Sequence, residues 1–280
     1  MRLDPVVKEF YLEKGAALQK GAFAASELEI VARGISKNLA NPSKSSYRRF
    51  EGEDGKGAFE YDYGCHSWVP EYAEFIESSG LAEAAAELLS SQRVSFFDDG
   101  YFVKQAGCTV SVPWHQDFSY YQIERDFVVT WVPLDPCGGE QTLRLVAGSH
   151  RWEKEFPPVN FDPVYSAATG GAAFESPLAI PDVESGRCEV LAWAMDPGDC
   201  VFFSGRTLHG SRGNRTRCDQ RRFTCRFIDA GASYEPRGAG APGVEVVGVG
   251  IENATLRPGQ CVSDDAENFP VIWQADATRS

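Results

Sequence analysis

His115 and Asp117 stand two positions apart in V-P-W-H-Q-D-F-S-Y-Y at 112–121, after a run that alternates from Thr109 to Val112. On a β-strand, side chains at i and i+2 share a face. The spacing therefore predicts an imidazole nitrogen and a carboxylate oxygen converging on one point. A second histidine from a distant strand would complete the two-histidine, one-carboxylate set that non-haem Fe(II) oxygenases use. His209, in F-F-S-G-R-T-L-H-G-S, is the candidate. With only four histidines in the chain, His66, His115, His150 and His209, each assignment can be tested one by one.

The elements that must position these ligands read as follows. Residues 5 to 40 carry helical patterning, with Leu28, Val31, Ile35 and Leu39 at helical spacing and Ser26 as the expected N-cap. Residues 40 to 66 read as a long surface loop, a candidate lid. Short helices are expected over 71–78 and 81–90. From Arg93 the pattern turns to strands. R-V-S-F-F-D-D-G-Y-F-V-K-Q-A predicts a hairpin turning at Asp98-Asp99-Gly100. Further strands are expected at 109–112, 127–134, 142–146, 188–193, 200–203 and 222–228. A helical block followed by many short strands predicts a mainly β fold with flanking helices around a double-stranded β-helix, a jelly-roll or cupin-type core. The expected organisation is a single domain over 1–280: a mostly helical part to 92, the jelly-roll core over 93–235 and a C-terminal extension over 236–280. The stretch 151–186 reads as an insert between core strands.

Composition narrows the function classes. The chain has 280 residues, 43% hydrophobic and 24% charged, and a formal net charge of −13. That acidity disfavours nucleic acid and anionic membrane surfaces as partners, since both need clustered Lys and Arg. None of the eight cysteines forms a C-x-x-C pair, no run approaches a membrane span, and the first residues are too polar for a secretory signal. These features predict free thiols in a reducing cytosol. A small molecule is the expected partner, and the oligomeric state is not legible.

The order of phrases adds a family. After H-Q-D come W-V-P-L-D at 131–135, G-S-H-R-W at 148–152, P-G-D-C-V-F-F at 197–203 and L-H-G-S followed by Asn214 and Thr216. Over roughly 95–235 this resembles the phytanoyl-CoA dioxygenase family of Fe(II)/2-oxoglutarate-dependent oxygenases. The resemblance implies that His115, Asp117 and His209 hold Fe(II), with 2-oxoglutarate and O2 as cosubstrates and succinate and CO2 released as a substrate C–H bond is oxidised, by default to a hydroxyl. The far carboxylate of 2-oxoglutarate needs a cation, and arginine's planar fork suits it. The family position falls near Gln220 or Arg221. Arg221 and Arg222 are both carried as candidates, Arg222 sharing strand parity with Gln220 and Arg226. Ser211, Trp131 and Lys104 match family residues around the cosubstrate. Phe118, Tyr120 and Tyr121 are expected either to line the substrate channel or to pack. His66 could reach the site mouth or stand as a surface histidine, and His150 is expected to be a turn residue. The carboxylate of Asp117 argues against the related halogenases, which carry a small residue there. Two alternatives stay open: a cupin-type metal enzyme that does not use 2-oxoglutarate, and a catalytically silent binding protein on the same fold. The substrate is expected to be a small or secondary metabolite.

Overall fold

A computed structural model describes residues 1–44, 46–49, 57–139, 141–156, 180–236 and 255–276. In chain order the elements are α1 (Pro5–Lys14), β1 (Ala16–Gln19), α2 (Ala25–Ala40), β2 (Tyr47–Arg49), β3 (Phe59–Tyr63), α3 (Pro70–Ser78), α4 (Leu81–Leu89), β4 (Arg93–Lys104), β5 (Val112–His115), β6 (Val128–Pro133), β7 (Leu143–Val146), β8 (Val190–Leu191), β9 (Cys200–Ser204), β10 (His209–Ser211), β11 (Gln220–Asp229) and β12 (Val271–Gln274). An eight-stranded sheet runs β1-β9-β6-β11-β4-β3-β2, with β12 also on β4, and a four-stranded sheet runs β5-β10-β7-β8. This is the jelly-roll architecture that the strand pattern predicts.

Strand alternation builds two apolar layers. The outer face of the large sheet sends Phe96, Tyr101, Phe223, Cys225 and Phe227 against Val31 and Ile35 of α2, Tyr72 and Phe75 of α3 and Leu88 of α4. The inner face sends Phe97, Val129, Trp131, Val201 and Phe203 towards Leu143 and Leu145 of the small sheet.

Four local expectations need correction. The helical run to residue 40 is broken: Asp4 caps α1 by accepting from the Val6 N–H at 2.8 Å, and Gly15 ends it at φ +79°. A Cβ on Gly15 would meet the His150 ring at 2.2 Å, and β1 then pairs with β9. The N-cap of α2 is Ala24, not Ser26; Glu27 reaches back to its N–H at 2.8 Å, and Leu39 is exposed. Within the expected loop 40–66, β3 pairs with the central strand β4. The predicted hairpin at Asp98-Asp99-Gly100 does not form, because β4 passes straight through it. Those three residues have turn composition, but tertiary partners satisfy both carboxylates in the sheet interior. Asp98 meets Arg226 and the Tyr121 hydroxyl, and Asp99 accepts from the N–H groups of Cys65 and His66. Much of the expected insert, 157–179, and the P-R-G-A-G-A-P-G segment from 237 lie outside the described residues.

Candidate metal centre

His115 closes β5 and His209 opens β10; the two are paired across the antiparallel ladder. Asp117 is not on the strand. It begins a short 3-10 helix, Asp117–Tyr120, and the turn, rather than strand alternation, swings its carboxylate back beside the imidazoles. Asp117 Oδ1 lies 3.3 Å from His115 Nε2 and 3.4 Å from His209 Nε2. One ligand atom from each residue falls within 4.8 Å of the others, and all three residues are buried.

The rings are set for a metal. The Nδ1 of His115 lies 2.8 Å from the Pro113 carbonyl, and that of His209 lies 2.9 Å from the Thr207 carbonyl. A carbonyl only accepts, so each Nδ1 carries the proton and each Nε2 presents a lone pair. Burial, reinforced by His209, holds His115 below its usual pKa, which favours the neutral imidazole a metal requires. Burial opposes ionisation of Asp117, but Arg226 and the two histidines outweigh it and hold the carboxyl well below the usual range. Two neutral nitrogens and one carboxylate oxygen are the donor set of a non-haem Fe(II) site.

Behind the ligands stands a buried ionic network that sequence reasoning missed. Arg226 donates from Nε at 3.0 Å and from Nη2 at 2.7 Å to Oδ2 of Asp117, the oxygen turned from the histidines. Its Nη1 lies 3.5 Å from Asp98 Oδ2, which also accepts from the Tyr121 hydroxyl at 2.6 Å. Burial pushes the Asp98 carboxyl up to about 7, against the pull of Arg226. The arrangement fixes which Asp117 oxygen faces the metal. The available signal was parity: Arg222, Thr224 and Arg226 alternate on β11, and only a buried charge partner would explain an arginine in so apolar a run.

The same parity separates the two cosubstrate candidates. Arg221 is on the outward face of β11, with both Nε and Nη2 on the Asp135 carboxylate at 3.0 and 2.8 Å. Arg222 is 4% exposed, with its guanidinium 5.0 Å from the Trp131 ring centre and bonded to Gln220 Oε1 and to the Arg221 carbonyl at 2.7 Å. Lys104 pairs in register with Gln220, and its Nζ donates to Ser211 Oγ at 2.9 Å. Burial, helped by Arg222, lowers the Lys104 ammonium to about 7. Lys104 thus reaches Ser211, two residues after His209 on β10, and Arg222 packs on Trp131, whereas Arg221 turns to Asp135.

Of the pocket candidates, Phe118 is fully buried beneath Arg206, whose guanidinium lies 3.6 Å from its ring centre. Tyr121 is buried in the Asp98 network, and half-buried Tyr120 sets its ring edge-on to His115 at 5.9 Å. His66 is neither exposed nor at the mouth. Its Nδ1 bonds Asp99 at 2.9 Å and its ring meets Phe96 at 4.5 Å, on the helix-facing side of β4, across the strand from Asp98. His150 sits in a short 3-10 helix, Ser149–Arg151.

The sequence profile of the family described as Phytanoyl-CoA dioxygenase (PhyH) matches residues 11–223. The chain belongs to the PhyH family. This is the family that the ordered phrases resemble, one of non-haem iron, 2-oxoglutarate-dependent oxygenases. Its curated relative, the multifunctional dioxygenase prhA of Penicillium brasilianum, is 34% identical over 79 residues, 28% of this chain and only 20% of that protein. Among solved structures, the non-heme alpha ketoglutarate-dependent epimerase SnoN from nogalamycin biosynthesis superposes with a TM-score of 0.73 at 20% identity, over 99% of this chain and 100% of that one. The carbocyclase SnoK from the same biosynthesis gives 0.71 at 18% identity, over 96% of both chains. At these identities the structures establish that this PhyH chain shares their fold. Among the described residues no helix is long and apolar enough to cross a membrane.

Proposed function

We propose that this protein is an Fe(II)/2-oxoglutarate-dependent dioxygenase that oxidises a C–H bond of a small organic metabolite, by default hydroxylating it, with release of succinate and CO2. The observation that carries the reading is the triad: two Nε2 lone pairs locked by carbonyls behind them and one carboxylate oxygen aimed between them, its other oxygen clamped by Arg226. His115, Asp117 and His209 would hold the iron, which with 2-oxoglutarate and O2 supplies the oxidising power. Arg222, Lys104 and Ser211, with Trp131 beneath the guanidinium, would receive the far carboxylate of 2-oxoglutarate. Arg222 is the arginine of choice here, because Arg221 already has its carboxylate in Asp135. The enzyme's own share is to place the substrate, keep water from the buried centre and hold Asp117 ionised. SnoN has been solved with Fe3+, alpha ketoglutarate and nogalamycin RO, and SnoK and SnoN both come from a natural-product biosynthesis; both facts support a secondary metabolite as substrate. The eight cysteines are all free thiols, which supports work in the cytosol.

Anaerobic addition of Fe(II) and then 2-oxoglutarate to the apoprotein tests this reading. The expected result is a weak visible charge-transfer band, absent in His115→Ala. Iron binding without that band would leave a metal enzyme of another cosubstrate. Failure to bind any divalent metal would sink the reading.

A further inference from the structure

The β3 strand alternates sharply. Glu60 and Asp62 turn to one side, where Glu60 accepts from Gln105 at 3.1 Å and Asp62 from Asn38 of α2 at 2.8 Å. Phe59, Tyr61 and Tyr63 therefore face the other way, into the space between the sheets. There they meet Phe102 of β4: ring centres lie 5.3 Å apart for Phe59–Tyr61, 5.5 Å for Tyr61–Tyr63, 5.9 Å for Tyr61–Phe102 and 5.7 Å for Tyr63–Phe102. One end of this wall is sealed, since Phe59 is buried against Cys108 and Val110. The rest is not: Tyr61, Tyr63 and Phe102 are half-buried, so an inner surface made of ring faces and edges remains open.

The open end adjoins the metal centre. The Tyr63 ring centre lies 5.7 Å from the Arg226 guanidinium, whose nitrogens hold Asp117. Opposite Tyr63 in the β3–β4 register stands Gly100. A Cβ there would come within 2.7 Å of the ring, so glycine lets the Tyr63 ring lie against β4. The Tyr63 hydroxyl makes no hydrogen bond to the described residues. The cations at the two ends of the wall are engaged: Arg226 by Asp117 and Asp98, and Lys104, 5.2 Å from the Phe59 ring centre, by Ser211 and the Arg212 carbonyl. Between them the described residues of the wall present ring surface and the hydroxyls of Tyr61 and Tyr63, while Arg222, opposite Phe102 on β11, is given by the reading above to the cosubstrate.

Resting on the dioxygenase reading above, we propose that Tyr61, Tyr63 and Phe102 form the substrate subsite and that it takes a neutral, unsaturated ring system laid against these rings. A hydroxyl or carbonyl of the substrate meets the Tyr63 hydroxyl, which places the neighbouring carbon at the metal end. Ring quadrupoles favour offset and edge-on partners over saturated skeletons of equal size, and a site with few convergent polar groups fixes orientation with them.

The test uses 2-naphthol and its saturated counterpart decahydro-2-naphthol as probes, titrated anaerobically into the full-length protein loaded with Fe(II) and 2-oxoglutarate. Binding is read by naphthol fluorescence quenching and by calorimetry for both probes. The expectation is that 2-naphthol binds about tenfold tighter than the saturated alcohol. Tyr61→Leu and Phe102→Leu, which keep apolar bulk but remove the ring, should erase that preference. Tyr63→Phe should weaken 2-naphthol several-fold and leave naphthalene unchanged. Circular dichroism and the charge-transfer band of each variant report folding and cosubstrate binding separately. A variant that fails to fold is replaced by the matching Met variant. Equal binding of the two probes, no binding of 2-naphthol, or a preference that survives both ring deletions overturns the subsite. Loss of the band in the wild type overturns the dioxygenase reading instead, and naphthol binding to the wall is still measured.

Discussion

The two sheets divide the work of the site. The small sheet contributes the histidines from two very short strands, β5 with four residues and β10 with three, which end or begin at the ligand itself. The large sheet contributes no ligand. Its inner face carries Arg226, together with Lys104, Arg222 and Trp131, proposed above to serve the cosubstrate, and the Tyr61–Tyr63–Phe102 wall, proposed to serve the substrate. The difference is physical. A ligand atom needs only a strand end and a backbone carbonyl to fix its tautomer, whereas a buried guanidinium needs a rigid wall of partners around its whole fork. Arg226 is where the two sheets meet electrostatically, since it stands on the large sheet and grips Asp117, two residues beyond the end of β5.

Removing Arg226 should break this division most. Arg226→Gln would leave Asp117 and Asp98 buried without their cation, a loss of about 3–5 kcal/mol in urea unfolding of the apoprotein. Fe(II) affinity should fall on the order of 10- to 100-fold, with partial rescue by Arg226→Lys, which restores the charge without the fork. Unchanged iron affinity in Arg226→Gln would show that the clamp does not position Asp117.

The next contrast is between neighbours on one strand. Arg222→Gln should weaken 2-oxoglutarate binding by roughly 2 kcal/mol, about thirtyfold. Arg221→Gln should leave it unchanged and cost about 1 kcal/mol of stability, because its pair with Asp135 is only partly buried. Titration of the charge-transfer band measures both. Equal effects would mean that strand parity does not separate them.

A smaller effect concerns Lys104. With its ammonium lowered to about 7, the free enzyme carries the charge below that pH and loses it above. An anionic cosubstrate must then recruit a proton. 2-Oxoglutarate affinity should therefore decline from pH 7 to 9, by up to about tenfold per pH unit, and Lys104→Met should flatten the slope. The smallest effect lies outside the site. Burial opposes protonation of His66, but its bond and attraction to Asp99 prevail, so its pKa is raised. A raised folded-state value means stability present in full below the unfolded pKa of about 6.5 and lost as pH rises through the folded one. Urea melts should show His66→Gln costing about 1 kcal/mol at pH 5.5 and much less at pH 9.

Much of the fold was legible because periodicity reports burial directly. The α3 and α4 helices, and the strands β6 to β9 and β11, fall where apolar runs and alternation place them, and the ordered H-Q-D and L-H-G-S phrases pointed to the family that the profile match establishes. What misled was local composition. Asp98-Asp99-Gly100 has the chemistry of a turn, and residues 40–66 that of a loop, yet one is the middle of β4 and the other contains the strand β3 that pairs with it.

The sequence by itself determined the donor atoms, the alternation of Arg222 and Arg226 against Arg221, and the apolar faces that make two sheets stack. Tertiary structure alone decided which of those alternating faces is the inside, because parity is a property of one strand and inwardness a property of its neighbours. It also decided that Asp98 and Arg226 share a buried site, since their 128-residue separation leaves no local trace. Propensity is set within a few residues of chain, whereas the burial of a charge is set by whatever partner the fold delivers.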